Sequence, residues 1–76
     1  MKDLVEFVTK AMVAQPDSVS VEEREQDGKR LLVVTVDQED LGTVIGRRGR
    51  TVAAIRTLAS AAASKAGYEV EVELVD

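Results

Sequence analysis

Gly46-Arg47-Arg48-Gly49 constrains this chain more than any other segment. Two glycines flank two arginines, with apolar Val44-Ile45 leading in and a helix-like stretch, Arg50 to Ala66, leading out. Glycine lets a backbone turn tightly and approach another molecule, because no Cβ stands in the way. The following helix aims its free N–H groups and the positive end of its dipole at the turn. Two arginines at the tip add charge and paired donors. These parts suit a nucleic-acid phosphate backbone, with the N–H groups of Arg48, Gly49 and Arg50 as the expected cradle.

The charge pattern points the same way. The net charge is −4, yet Leu41 to Gly67 holds five basic residues (Arg47, Arg48, Arg50, Arg56, Lys65) and no acidic one. All 14 acids lie outside that stretch, which leaves the rest of the chain at −9. A basic segment on so acidic a background is a patch with a direction. The bland alternative is a solvated helix face.

Other functions are disfavoured. Cys and His are both absent, which removes a disulfide framework, the commonest metal ligand and the commonest general base. Neither a Gly-x-x-x-x-Gly-Lys phosphate loop nor a Gly-x-Gly-x-x-Gly fingerprint occurs. No enzyme, metal or cofactor is expected. Apolar runs fall far short of the roughly 20 residues that cross a bilayer. The start, Met1-Lys2-Asp3-Leu4, is acidic within three residues and does not read as a signal peptide. A cytoplasmic protein with no membrane contact is the expectation, as one small domain spanning 1–76.

The elements follow from periodicity. Leu4, Phe7, Val8, Ala11 and Met12 recur at helical spacing, predicting a helix from about Asp3 to Ala14 that Pro16 stops. Val19 and Val21 open a strand with one wet face, and Asp27-Gly28 signals a hairpin. Leu31 to Val36 is apolar on both faces and reads as the central strand. Asp37, Glu39 and Asp40 can cap a short helix over Asp40 to Ile45. In Arg50 to Ala66, Val52, Ile55, Ala59, Ala62 and Ala66 form the core stripe, and Gly67 is a helix stop. Tyr68, Val70, Val72 and Leu74 alternate with glutamates in a half-buried strand. The fold class is therefore α+β: order α-β-β-α-α-β, with a three-stranded sheet and helices packed on one face.

Val44 to Ile55 resembles the signature of the KH domain: an apolar pair, a Gly-x-x-Gly loop and an apolar residue six beyond it. The element order resembles the type II, prokaryotic form of that fold. Asp40-Leu41-Gly42, Ala54-Ile55-Arg56-Thr57 and Val70 to Asp76 extend the resemblance, over essentially the whole chain, to the small bacterial single-KH RNA-binding proteins of the KhpA (YlqC) family. The resemblance implies binding of about four nucleotides of single-stranded RNA beside the loop. It also implies a homodimer, pairing with a second, larger KH protein (KhpB), and roles such as RNA chaperone or post-transcriptional regulator.

On this reading Ile45, Gly46, Arg47, Arg48, Gly49, Arg50, Thr51 and Arg56 are the candidate RNA-binding residues. Val44, Ile45 and Val52 are expected to help form an apolar floor, and the second strand, Leu31 to Val36, to close the groove. For Val44, Ile45, Val52 and Ile55 a core role competes with ligand contact. Arg56 stands equally as a helix-surface residue. Lys29 and Arg30 either extend the basic patch or pair within the hairpin. Phe7 and Tyr68 are the only aromatics and neither is in the motif, so base stacking is not the main affinity source. Binding is expected to be weak, salt-sensitive and loosely specific, raised by dimerisation. The rival reading is a protein-interaction module with a close-packing Ala-rich helix on the same scaffold.

Overall fold

The computed structural model describes all 76 residues. The helices are α1 (Lys2–Met12), α2 (Leu41–Ile45) and α3 (Arg50–Ala66), and the strands are β1 (Ser20–Gln26), β2 (Lys29–Thr35) and β3 (Val70–Val75). Single 3-10 turns cover Pro16–Ser18, Gln38–Asp40 and Arg47–Gly49. The order is α-β-β-α-α-β, as the sequence predicts. No helix is long and apolar enough to cross a membrane.

The sheet runs β1-β2-β3, with β1 antiparallel and β3 parallel to the central β2. Asp27 and Gly28 make the two-residue hairpin, both at positive φ (53° and 77°), the primed turn that matches strand twist. Parallel pairing of β3 with β2 needs a long crossover, and α2 and α3 supply it. Gly67, at φ 90°, ends α3 by letting the Gly67 and Tyr68 N–H groups donate back to the Ser64 and Ala63 carbonyls.

The core lies between the sheet and the helices. Leu32, Val34 and Val36 of the central strand segment meet Val5 of α1, Val44 of α2, and Ile55 and Ala59 of α3. Each is at most 5% exposed, so this layer holds the short chain together.

Three expectations about the helices need correction. First, α1 ends at Met12, not Ala14, and its buried residues are Val5 and Thr9. Phe7 is 73% exposed and Leu4 38%. The Thr9 hydroxyl donates to the Val5 carbonyl at 2.8 Å, so a polar residue enters the core satisfied. Second, α2 begins at Leu41 rather than Asp40. Asp37 caps the preceding turn through the Glu39 N–H, while the buried Asp40 carboxylate accepts from the Ala14 and Gln15 N–H groups at 3.0 and 2.9 Å. It ties the end of the α1 linker to the start of α2. Third, Ala63 completes the α3 stripe, and Ala66 is exposed.

Candidate nucleic-acid interface

Gly46 shapes the loop. It sits at φ 77°, ψ 171°, a region open in practice only to glycine. A Cβ there would stand 2.8 Å from the Thr51 backbone nitrogen and 2.6 Å from the Thr51 Cβ. Thr51 is thus half-buried beneath the turn and packs it. Gly49 is different. It is left-handed (φ 71°, ψ 14°), and a Cβ on it would touch nothing within 4 Å. The space over Gly49 is open.

Arg48 is left-handed as well (φ 57°, ψ 28°), an uncommon state for a residue with a side chain, costing about 1 kcal/mol. Arg47, Arg48 and Arg50 are exposed. None of them, nor Arg56 or Lys65, is in an ion pair. The expected amide cradle is only partly available. The Gly49 N–H donates to the Gly46 carbonyl at 3.1 Å, and the Arg50 N–H to Arg47. Two of the three cradle amides are spent on the turn, so the arginine side chains must carry more of any phosphate contact.

Beside the loop runs an open groove of about 450 Å³. Ile45, Val52 and Arg56 line one side, and Val72 and Leu74 of β3 the other. The expected wall was β2; it is β3. β2 is central, and only Leu31 from it reaches the groove. β3 is an edge whose outward backbone groups pair with no further strand. Glu69 and Val75 take their bonds from β2 (Arg30 and Val36 N–H, 3.0 and 3.1 Å), so the alternate residues Val70, Val72 and Leu74 face outward.

Among the apolar candidates, Val44 is 1% exposed and belongs to the core, not the groove floor. Ile45, at 38%, is open to the groove, and Val52 serves both. Arg56 bridges the groove: its Nε donates to the Val72 carbonyl at 3.3 Å. Lys29 and Arg30 do not extend the patch. Lys29 Nζ lies 3.7 and 3.8 Å from Glu69 and Glu71, and Arg30 lies 3.6 Å from Glu23. Arg30 also covers the half-buried Tyr68 ring, 3.8 Å from its centre. On β1 the Arg24 guanidinium, first by hydrogen bonding and then by charge, holds the Glu22 carboxyl below its ordinary value. No cluster of three metal-ligating side chains exists.

The KhpA/KhpB KH-domain family matches residues 2–74. This chain belongs to that family. It is 43% identical over 75 residues to the RNA-binding protein KhpA of Clostridium perfringens, covering 99% of this chain and 100% of that protein. It is 40% identical over 74 residues to the RNA-binding protein KhpA of Borreliella burgdorferi, covering 97% of this chain and 90% of that protein. With KhpA of Thermotoga maritima it shares 39% identity over 61 residues, 80% of this chain and 81% of that protein. These relatives carry the names of RNA-binding proteins, not of enzymes.

Within this KH-family chain, sequence reasoning missed three features. One is the β3 wall, visible only once the strand order is known. Another is the acidic rim that Glu71 and Glu73 add to the groove. Their alternation with Val70, Val72 and Leu74 was the available signal. The third is the Asp40 tether, for which one of three acids before a short helix (Asp37, Glu39, Asp40) gives no clue.

Proposed function

We propose that the chain binds single-stranded RNA, about four nucleotides long, in the groove between the Gly46–Gly49 loop and β3. The observation that carries this reading is the set of unpaired cations around the loop. Arg47, Arg48 and Arg50 have no carboxylate within 4.0 Å, although the chain holds 14 acids. They stand where a groove beside a strand edge without a further pairing strand opens. The family membership and the names of the relatives support the same reading.

Phosphates sit over Gly49, where no side chain intrudes, and the loop arginines neutralise them with release of counterions. Bases enter the groove against Ile45, Val52 and Leu74 and meet the outward backbone groups of β3. No aromatic lines the groove. Affinity is therefore modest, salt-dependent and only loosely tied to sequence. The site consists of Ile45, Gly46, Arg47, Arg48, Gly49, Arg50 and Arg56, with Thr51 shaping the turn.

The chain acts as a dimer, with itself or with a KhpB-like protein, in the cytoplasm, as an RNA chaperone or post-transcriptional regulator. Leu4 and Phe7 on α1 and Leu58 on α3 are exposed large apolar residues, and they support a partner-covered helical surface. That surface also favours a second reading, an assembly module that leaves RNA to its partner.

The deciding experiment titrates a mixed-sequence single-stranded RNA against the wild type and Arg47→Asp/Arg48→Asp at several salt concentrations. Steeply salt-dependent binding of the parent and none by the variant is the expected result. Equal binding by both, or no binding by either, would transfer the weight to the assembly reading. Sedimentation of both proteins reports the dimer independently.

A further inference from the structure

We infer that Arg56 discriminates between bases in this groove, favouring a base with two adjacent hydrogen-bond acceptors, cytosine or guanine, over adenine and uracil. The inference rests on the RNA-binding reading above.

Arg56 is the only cation of the basic segment whose side chain is tied down. Its Nε–H donates across the groove to the Val72 carbonyl at 3.3 Å, between residues 16 apart in sequence. That carbonyl lies on the outward side of β3, because the ladder to β2 uses Glu69 and Val75. One of the five guanidinium N–H groups is thereby committed and four remain, on Nη1 and Nη2. No carboxylate lies within 4.0 Å to occupy them. Arg56 and Val72 also border a second cleft of about 300 Å³, lined further by Ser60, Val70 and Glu71, which continues along the same edge. A nucleotide strand following β3 from one cleft to the other must pass this guanidinium.

Tethering has a physical consequence. A long side chain already held in place loses little rotamer freedom when its ligand arrives. Its direction is also fixed before binding. Arg47 and Arg48 make no side-chain hydrogen bond, so they act as charges without a set direction. They suit phosphates, which every nucleotide carries. Arg56 presents a fixed fork of two parallel N–H donors from Nη1 and Nη2.

Such a fork needs two acceptors side by side. Guanine offers O6 and N7, and single-stranded cytosine offers N3 and O2 on its exposed pairing edge. Adenine sets its N6 amino group beside both N7 and N1. Uracil sets N3–H between its two carbonyls. In either case one donor of the fork faces another donor. The preference expected from one bidentate contact is about 10-fold.

The test uses uridine octamers carrying cytosine, guanine or adenine at the central two positions, with the plain octamer as reference. Binding is measured by fluorescence anisotropy at two salt concentrations, for the wild type, Arg56→Lys, Arg56→Gln and Arg47→Gln/Arg48→Gln. The wild type should bind the cytosine and guanine octamers about 10-fold more tightly than the other two. Arg56→Lys keeps the charge but not the fork, so it should bind all four within about 2-fold of one another. The loop variant should weaken all four alike and keep their ratio. A purely structural Arg56 would instead lower the melting temperature and all four affinities together. Equal binding of the four by the wild type, or a preference surviving in Arg56→Lys, overturns this inference alone. No binding of any octamer by the wild type overturns the RNA-binding reading and this inference with it.

Discussion

Nine of the ten cationic side chains divide into two populations, and Lys2, unpaired at the start of α1, stands outside both. On the sheet and α1, Lys10, Arg24, Lys29 and Arg30 each lie within 4.0 Å of a carboxylate. Between Leu41 and Gly67, none of the five does. The first group neutralises acids of its own elements, Glu6 on α1 and the glutamates of β1 and β3, where like charges on adjacent strands would otherwise repel. The second group has no such duty, and in a chain of net charge −4 it leaves an unneutralised basic segment open to an external anion. Ion pairing thus separates the cations of the sheet from those of the basic segment.

The largest effect expected in the loop region comes from a residue with no charge. Gly46→Ala places a Cβ against the Thr51 backbone, and alanine does not tolerate the Gly46 dihedrals. Overpacking and backbone strain together should cost about 3 kcal/mol or more, seen as a lower midpoint in thermal and urea melts. Both populations would then fail together, because the fold fails. A melt unchanged from wild type would show that the turn is not held by Thr51.

Reversing the loop charges should separate the populations. Arg47→Asp/Arg48→Asp leaves the melting temperature within a few degrees, since neither side chain has a partner in the fold. RNA affinity should fall about 100-fold near physiological salt, and the salt slope by about 1.4, that is, 0.7 for each lost phosphate contact. Gly49→Leu probes the same surface without a charge change. Its side chain fills the open space over the loop, and the left-handed backbone costs about 1 kcal/mol. RNA binding should weaken about 10-fold, the loss expected for one blocked charge-assisted phosphate contact of about 1.4 kcal/mol. If Gly49→Leu binds as well as wild type, phosphates do not pass over Gly49.

The two regions also differed in how well the sequence disclosed them. The turn elements were legible because their signals are local. Asp27-Gly28 specifies a primed hairpin, Gly67 a helix stop, and the Gly46 to Gly49 spacing a break between two helices. The phase of α1 was not legible, because an apolar count favours Leu4 and Phe7 over Thr9. Only the Thr9 hydroxyl bond to Val5 admits that residue to the core. The groove wall was not legible either. Which strand lies beside α3 depends on a parallel pairing formed across the whole crossover, and the apolar character of Leu31 to Val36 reports burial, not position at an edge. Of the candidate residues, those in the loop stand where the spacing put them. Val44 went to the core, and Arg56 gained a partner 16 residues away.

Small effects test the paired population. Lys29 is half exposed between two glutamates, so Lys29→Ala should cost about 0.5 kcal/mol at most. A melting shift of about 3 °C or less would match that cost. Its effect on the RNA salt slope should be nil, and a slope reduced as much as by loss of a loop arginine would erase the distinction between the populations.

Glu22→Gln gives the mildest and most discriminating test, because it frees a cation without adding one. In the wild type the folded Glu22 carboxyl lies below its ordinary value of 4.5, through the Arg24 hydrogen bond and then the Arg24 charge. A carboxyl depressed on folding stabilises above its unfolded pKa and loses that contribution as pH falls through the folded one. Melting curves of wild type and variant should therefore separate slightly at neutral pH and converge in acid, as pH falls below the ordinary carboxyl range and through the lowered folded value. Arg24 would then have no hydrogen-bonded carboxylate, only the charge of Glu73 across the sheet. It would become nearly as free as the loop arginines, yet it lies on the outer face of β1, two strands from the groove. RNA affinity should stay at the wild-type value. A gain would mean that freedom alone makes a phosphate contact; no gain would mean that freedom counts only beside an open turn and a strand edge without a further pairing strand.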